Sequence, residues 1–333
     1  MRTFTRPRLG ILALASAVTL TLAACSGGDS EPAAESSPSS DRVEVTDMAG
    51  NVVEVPSDPQ SVVATDNHAF QILDDWGVQL SAAPLDLMSE DVVSYPGNAE
   101  VANLGNHREP DLEAIVNADP DVVVNGYRFS SHAEDIKNLL PEDTAFIDLD
   151  QPEDMPLDEY LRKSTTLMGE IFGHQDDAEK LVEDFDAAAE RARESYDGEQ
   201  SVMGIITSGG DINYAAPGEG RAIGPVFDWL SLTPSLEQEG SENHQGDDIS
   251  VEAIAGSNPD WLLVMDRDAA VSDAEAGFSP AADLIKNSEA MANVPAVQQD
   301  HIVYLPESFY LHEDIVLYTE FLNSMADSFE QAK

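Results

Sequence analysis

"DPDVVVNGYR" (residues 119–128) and "NPDWLLVMDR" (residues 258–267) are one phrase written twice in a chain of 333 residues. Each reads as a turn, an apolar run of buried-strand length, and an arginine. A shift of 139 positions (267 − 128) aligns them without a gap, and the match extends back to Glu113 and Glu252. Six of these sixteen positions are identical: Glu113 with Glu252, Ala114 with Ala253, Ile115 with Ile254, Pro120 with Pro259, Asp121 with Asp260, and Arg128 with Arg267. The residues ahead of each turn have helical spacing. Each copy is therefore a helix, a turn and a strand, with an arginine just past the strand's carboxyl end. In open parallel sheets the ligand crevice lies outside those carboxyl ends. Two halves of this build that face one another aim Arg128 and Arg267 into one cleft.

The flanking sequence supports two such halves. "RVEVTDMAGNVVEVP" gives a hairpin around residues 47–51, and "SVVAT" a buried strand. "NHAFQILDDWG" reads as a helix with Asn67 as N-cap and Gly77 as stop. "DLEAIVNA", "DVVVN", "SHAEDIKNLL" and "TAFIDL" then alternate helix with strand, which predicts a mainly parallel sheet covered by helices on both faces. From Leu161 to Tyr196 there is helical spacing without a strand, carried by Leu161, Met168, Phe172, Leu181, Phe185 and Ala189, with Gly173 placed to kink or divide it. Alternation resumes in "SVMGIIT", "GPVFDWL", "ISVEAIAG", "WLLVM" and "HIVYL". A last amphipathic helix places Tyr318, Phe321, Leu322, Met325 and Phe329 on one face. The chain thus reads as an α/β protein of two Rossmann-like lobes with parallel sheets, residues 41–157 and 198–333. One long helical connector, residues 158–197, joins them, and the ligand cleft lies between them.

Composition narrows the function. With 64 Asp plus Glu against 16 Lys plus Arg, the formal net charge is −48. Such a surface repels nucleic acid and anionic lipid headgroups and favours solubility. Arg2, Arg6 and Arg8 precede an apolar run at residues 11–22 that is too short to span a membrane comfortably. It ends in "LAAC", which resembles a lipobox, so residues 1–24 read as a lipoprotein signal peptide and Cys25 as the lipidated residue. Residues 25–40 form a Ser-, Gly- and Pro-rich tether. The expected location is the extracytoplasmic face of the cell membrane, reached by the lipid anchor alone. Cys25 is the only cysteine, so neither an intrachain disulfide nor a cysteine metal site is available. Without the three signal arginines, 13 basic residues (16 − 3) stand against 64 acidic ones, and each remaining arginine is informative.

With the signal and tether in front, "TDMAGNVVEVPSDPQSVVA", "GNHREPDLEAIVNADPDVVV", "LMGEIFG", "INYAAPGEGRAIGPVFDWL", "ISVEAIAGSNPDWLLVMDR" and "HIVYLPESFYL" follow in order. This series resembles the substrate-binding lipoproteins of ABC importers for ferric siderophores. These are periplasmic binding proteins with a helical inter-lobe connector, and the likeness is to the petrobactin and catecholate subgroup. The resemblance implies no intrinsic cofactor, a ferric siderophore as the transported ligand, ABC permease subunits as partners, and a monomer. It implies three cleft arginines that hold the anionic complex, matched by Arg128, Arg221 in "GEGRAIG", and Arg267. It implies a histidine and a tyrosine that complete the iron shell where the siderophore leaves positions open, matched by His244 and Tyr310. It also implies one surface glutamate per lobe that docks on the permease, matched by Glu113 and Glu252.

The chemistry agrees with the residue types. Guanidinium groups are planar, permanently charged and weakly hydrated, and suit a bulky oxygen-rich anion better than lysine does. Ferric iron accepts phenolate and imidazole donors. Taken alone, Tyr310 reads equally as an aromatic wall and His244 as a solvated loop histidine. Tyr214 reads as either cleft lining or core, and Arg108 is a secondary contact candidate. His68 reads as a helix start, and the other histidines lack metal-ligand spacing. Trp76, Trp229 and Trp261 read as core. Two other readings stand beside the siderophore one. The same fold serves a haem- or cobalamin-binding lipoprotein. A secreted enzyme is the third, though G-x-S-x-G, H-E-x-x-H and a cysteine nucleophile are missing, and "TSGGD" at residues 207–211 has no catalytic partner.

Overall fold

Alternating apolar residues zip Arg42–Thr46 (β1) and Val52–Pro56 (β2) into an antiparallel hairpin. Asp47 closes it by accepting from the Asn51 backbone N–H at 2.7 Å. The computed structural model describes residues 42–271 and 279–333, so the signal stretch, Cys25 and the tether lie outside the described residues.

The first half builds a parallel five-stranded sheet from Val62–Ala64 (β3), Leu80–Ala83 (β4), Ala102–Asn103 (β5), Val122–Asn125 (β6) and Ala145–Asp148 (β7), in the order β5-β4-β3-β6-β7. Every residue of β3 and β6 is buried, as expected where helices cover both faces. The second half builds Ser201–Ser208 (β8), Asp211–Ala215 (β9), Thr233–Pro234 (β10), Trp261–Asp266 (β11) and Ile302–Tyr304 (β12), in the order β10-β8-β11-β12. Those four run parallel, and β9 adds antiparallel to β8.

The repeated phrase is one piece of architecture used twice. Helix Leu112–Asn117 is capped by the Asp111 carboxylate, and helix Val251–Gly256 by the Ser250 hydroxyl. Asp119 and Asn258, at equivalent positions, both turn the chain through the left-handed region (φ 45° and 57°). Asp121 then accepts from the Gln60 and Ser61 N–H groups at the start of β3, and Asp260 from the Ser201 N–H at the start of β8. The proline, the aspartate and the polar turn residue thus recur because the same junction is built in both halves.

The connecting stretch is helical but in two pieces, Leu157–Phe172 and Gln175–Ser195, divided at Gly173 (φ 74°), a left-handed conformation that glycine adopts without strain. The second piece packs on the final helix Ile315–Gln331, where Arg191 pairs with Asp327 and Glu330. Tyr318, Phe321, Leu322, Met325 and Phe329 are all buried, as the spacing predicts.

One local expectation is corrected. Asn67 is no N-cap: helix Phe70–Asp75 starts later without a side-chain cap, and the buried Asn67 amide instead donates to the Leu311 carbonyl at 2.6 Å. "TSGGD" is a tight hairpin turn at Gly209 and Gly210 that joins β8 to β9, a strand the sequence pattern did not reveal. Among the described residues, no helix is long and apolar enough to cross a membrane.

Candidate functional site

Three arms converge on Tyr310, a buried residue of the short helix Phe309–His312. The first arm leaves β6 through Gly126 and Tyr127, and its Arg128 Nη2 donates to the Tyr310 carbonyl at 2.7 Å. The second is the tight turn around Gly220, whose N–H donates to the Ala216 carbonyl at 2.7 Å. A Cβ on Gly220 would lie 2.4 Å from the Ala216 nitrogen, so only glycine allows this approach, and Arg221 is presented at its tip. The third is Arg267, immediately after β11, whose Nη1 donates to Ser208 Oγ at 3.2 Å. The guanidinium carbons of Arg128, Arg221 and Arg267 stand 4.8, 4.7 and 5.0 Å from the Tyr310 ring centroid. Each distance is within cation–π range.

These groups line a cavity of about 710 Å³ together with Asp86, His107, Arg108, Tyr127 and His244. Eight arginines follow Arg2, Arg6 and Arg8 (11 − 3), and four of them line this one cavity. Behind it is a second cavity of about 700 Å³, and Tyr127 and Arg221 face both. The Tyr127 hydroxyl donates to Glu313 Oε2 at 3.1 Å, and Arg221 Nε donates to Glu313 Oε1 at 3.0 Å. Tyr127, Ala222 and Glu313 all have left-handed backbone (φ 47°, 61° and 50°). Such strain in non-glycine residues persists only where surrounding contacts enforce it, and it clusters at binding sites.

The field of the arginines sets protonation. Burial opposes ionisation of the Tyr310 phenol, but the adjacent Arg128, Arg221 and Arg267 guanidiniums outweigh it, and its pKa is lowered. Burial first, and then the charges of Arg267, Arg221, Arg108 and Arg128, lower the pKa of His244 and favour its neutral imidazole. His107 is lowered in the same way, by burial first and then Arg128 and Arg108. A phenol inclined to ionise and a neutral imidazole are the forms that donate to a hard ferric ion.

The structure therefore brings together five residues marked from the sequence: Arg128, Arg221, Arg267, His244 and Tyr310. Arg108 joins them. Tyr214 does not. It is buried in the core beside Leu262 and Ile285, and its hydroxyl donates to the Leu236 carbonyl at 2.9 Å. Glu113 and Glu252 lie exposed on the first turns of the equivalent helices. Sequence reasoning missed Tyr127, His107 and Glu313 as site residues. Tyr127 stands beside Arg128 and was within reach; Glu313 had no signal among 64 acidic residues. Among the described residues, no three His, Cys, Asp or Glu side chains gather as a metal site.

Residues 62–309 match the family model described as periplasmic binding protein. The chain belongs to that family. Among its curated relatives, the petrobactin-binding protein YclQ of Bacillus subtilis is 22% identical over 301 residues, 90% of each chain. The ferric-anguibactin-binding protein FatB of Vibrio anguillarum is 27% identical over 240 residues, 71% of this chain and 73% of that one. Two solved structures share the fold. The crystal structure of YclQ superposes with a TM-score of 0.73 at 22% identity, covering 87% of this chain and 99% of the other. The catecholate-siderophore binding protein VctP of Vibrio cholerae superposes with a TM-score of 0.70 at 21% identity, covering 88% and 100%. Both are built, like this chain, as two-lobed α/β binding proteins.

Proposed function

We propose that this chain is an extracytoplasmic lipoprotein that captures a ferric siderophore, of catecholate or mixed citrate–catecholate type, and delivers it to an ABC permease. The observation that carries the reading is the ring of Arg128, Arg221 and Arg267 around Tyr310 in one open cavity, with Arg108 and His244 beside it. In a partly desolvated cleft an anionic chelate gains far more from these charges than it would at the screened exterior. Tyr310 and His244 supply donors for coordination positions that a siderophore leaves open. Relatives whose names record petrobactin and ferric anguibactin as ligands support the same class.

On this reading residues 41–157 and 198–333 act as the two lobes, with 158–197 as connector. Cys25 carries the lipid, and the tether holds a monomer at the membrane. Glu113 and Glu252 dock on the permease, one from each lobe. The protein binds and releases its cargo without altering it. Tryptophan-fluorescence titration against ferric catecholates, haem and cobalamin tests the reading: submicromolar binding is expected for a catecholate complex, recovered chemically intact. Absorbance of the loaded protein sorts the alternatives. A broad visible charge-transfer band supports a ferric catecholate; a Soret band or cleaved siderophore overturns the proposal.

A further inference from the structure

Beside the ring of guanidiniums lies the carboxylate of Glu313, paired with Arg221. Glu313 is 8% exposed, and its side chain holds two cleft arginines at once. Its Oε1 accepts from Arg221 Nε at 3.0 Å and also from Arg221 Nη2, and lies 3.9 Å from Arg128 Nη2. Its Oε2 accepts from the Tyr127 hydroxyl at 3.1 Å. The carboxylate approaches from behind: Glu313 lines the rear cavity and not the front one, whereas Arg221 and Tyr127 line both. Among the described residues, Arg221 Nη1 makes no hydrogen bond, so a ligand in front and Glu313 behind use different edges of one guanidinium.

We propose that Glu313 sets the charge of the anion the cleft prefers, by holding Arg221 from behind and cancelling part of the arginine field. This rests on the ferric-chelate reading of the front cavity. An amide would keep one acceptor oxygen for Arg221 but present an NH2 donor in place of the oxygen that accepts from Tyr127. The carboxylate supplies both acceptors and, beyond them, a negative charge. Among the described residues facing the front cavity, four are arginines and only Asp86 is a carboxylate. Among the described residues, Asp268, 3.6 Å from Arg267, and Glu313 are the anions that pair the arginine ring.

Coulomb energy scales with the charge of the ligand. An iron(III) tris-catecholate is a trianion, and an iron(III) bis-catecholate with two open positions is a monoanion. Glu313 penalises the first about three times as much as the second, and so biases the cleft toward the monoanion. The bias acts through Arg221, which makes Glu313 a positioning residue and not a direct contact.

The test is a fluorescence titration of the full chain and of Glu313→Gln with two probes. These are the ferric complexes of a hexadentate tris-catecholate chelator and of a tetradentate bis-catecholate chelator. Removal of the charge is expected to shift the affinity ratio toward the trianion by about tenfold or more, with a smaller gain for the monoanion. Glu313→Asp, which keeps the charge, is expected to hold the wild-type preference. The charge-neutral double variant Arg221→Gln/Glu313→Gln is expected to return the ratio to near the wild-type value, which keeps the test open if the single variant folds poorly. A purely structural role changes both affinities by the same factor, and that result overturns the proposal. A wild type that binds neither complex overturns the siderophore reading and this inference with it. A wild type that binds both, with an unchanged ratio in the variants, overturns this inference alone.

Discussion

Tyr310 sits where three guanidiniums meet, so its environment follows from residues far apart in sequence. Arg128, Arg221 and Arg267 could be marked beforehand because arginine is scarce: a rare charge placed twice after equivalent strands stands out. Glu313 could not, because one carboxylate among 64 carries no information until its partners are seen. Tyr214 shows the opposite failure. Its hydroxyl found a backbone acceptor at 2.9 Å, and the ring went into the core. Each of these residues makes a prediction. Arg221→Ala or Arg267→Ala is expected to weaken ferric catecholate binding by roughly 2–5 kcal/mol, read by fluorescence titration; unchanged affinity in both variants removes the site assignment. Tyr214→Phe is expected to leave that affinity alone and to lower stability by about 1 kcal/mol in urea unfolding, because the half-buried Leu236 carbonyl loses its donor.

Among the elements, the helix–turn–strand phrase was legible since its pattern recurs together with its capping chemistry. Asp121 and Asp260 occupy one structural role in two places: Asp121 accepts the N–H groups of Gln60 and Ser61 just before β3, and Asp260 the N–H of Ser201 that opens β8. Asp121→Ala and Asp260→Ala are each expected to cost about 1–3 kcal/mol; two effects of opposite sign would contradict the equivalence. Strand β9 was not legible. Its DINYA segment is exposed at one end and buried at the other, so no two-residue alternation announces it. The N-cap of the last helix adds a pH dependence. Asp314 accepts from the Leu317 N–H at 2.9 Å while its other oxygen is buried without a partner, and burial pushes its pKa up to about 7. A carboxyl raised in the folded state stabilises most when both states are protonated, and that advantage drains as pH rises from about 4 to 7. The wild type is expected to lose on the order of 3–4 kcal/mol over that window from this group. Asp314→Asn keeps an oxygen for Leu317 and is expected to flatten the slope; an equally steep slope in the variant contradicts the assignment.

For the whole molecule, charge works in two directions. With Arg2, Arg6 and Arg8 set aside, the chain carries 13 basic against 64 acidic residues (−51), so an anionic cargo is repelled on approach. The arginine ring acts only within roughly a Debye length, about 8–10 Å. Added salt is therefore expected to speed association, the reverse of a long-range attractive encounter; stopped-flow rates that fall steeply with salt contradict this balance. The surface glutamates belong to this scale as well. Glu113→Ala combined with Glu252→Ala is expected to leave binding intact and abolish iron uptake by cells, and normal uptake removes the docking role. The two-half plan was readable from one repeated phrase, whereas the shared wall between the two cavities depends on residues 127, 221 and 313, which only folding brings together.

The most direct measurement is calorimetric titration of a ferric catecholate siderophore into the wild type and into the triple variant Arg128→Ala/Arg221→Ala/Arg267→Ala. The account predicts saturable one-to-one binding by the wild type and none detectable by a folded triple variant. Equal binding by both proteins, or no saturable binding by the wild type, would contradict it.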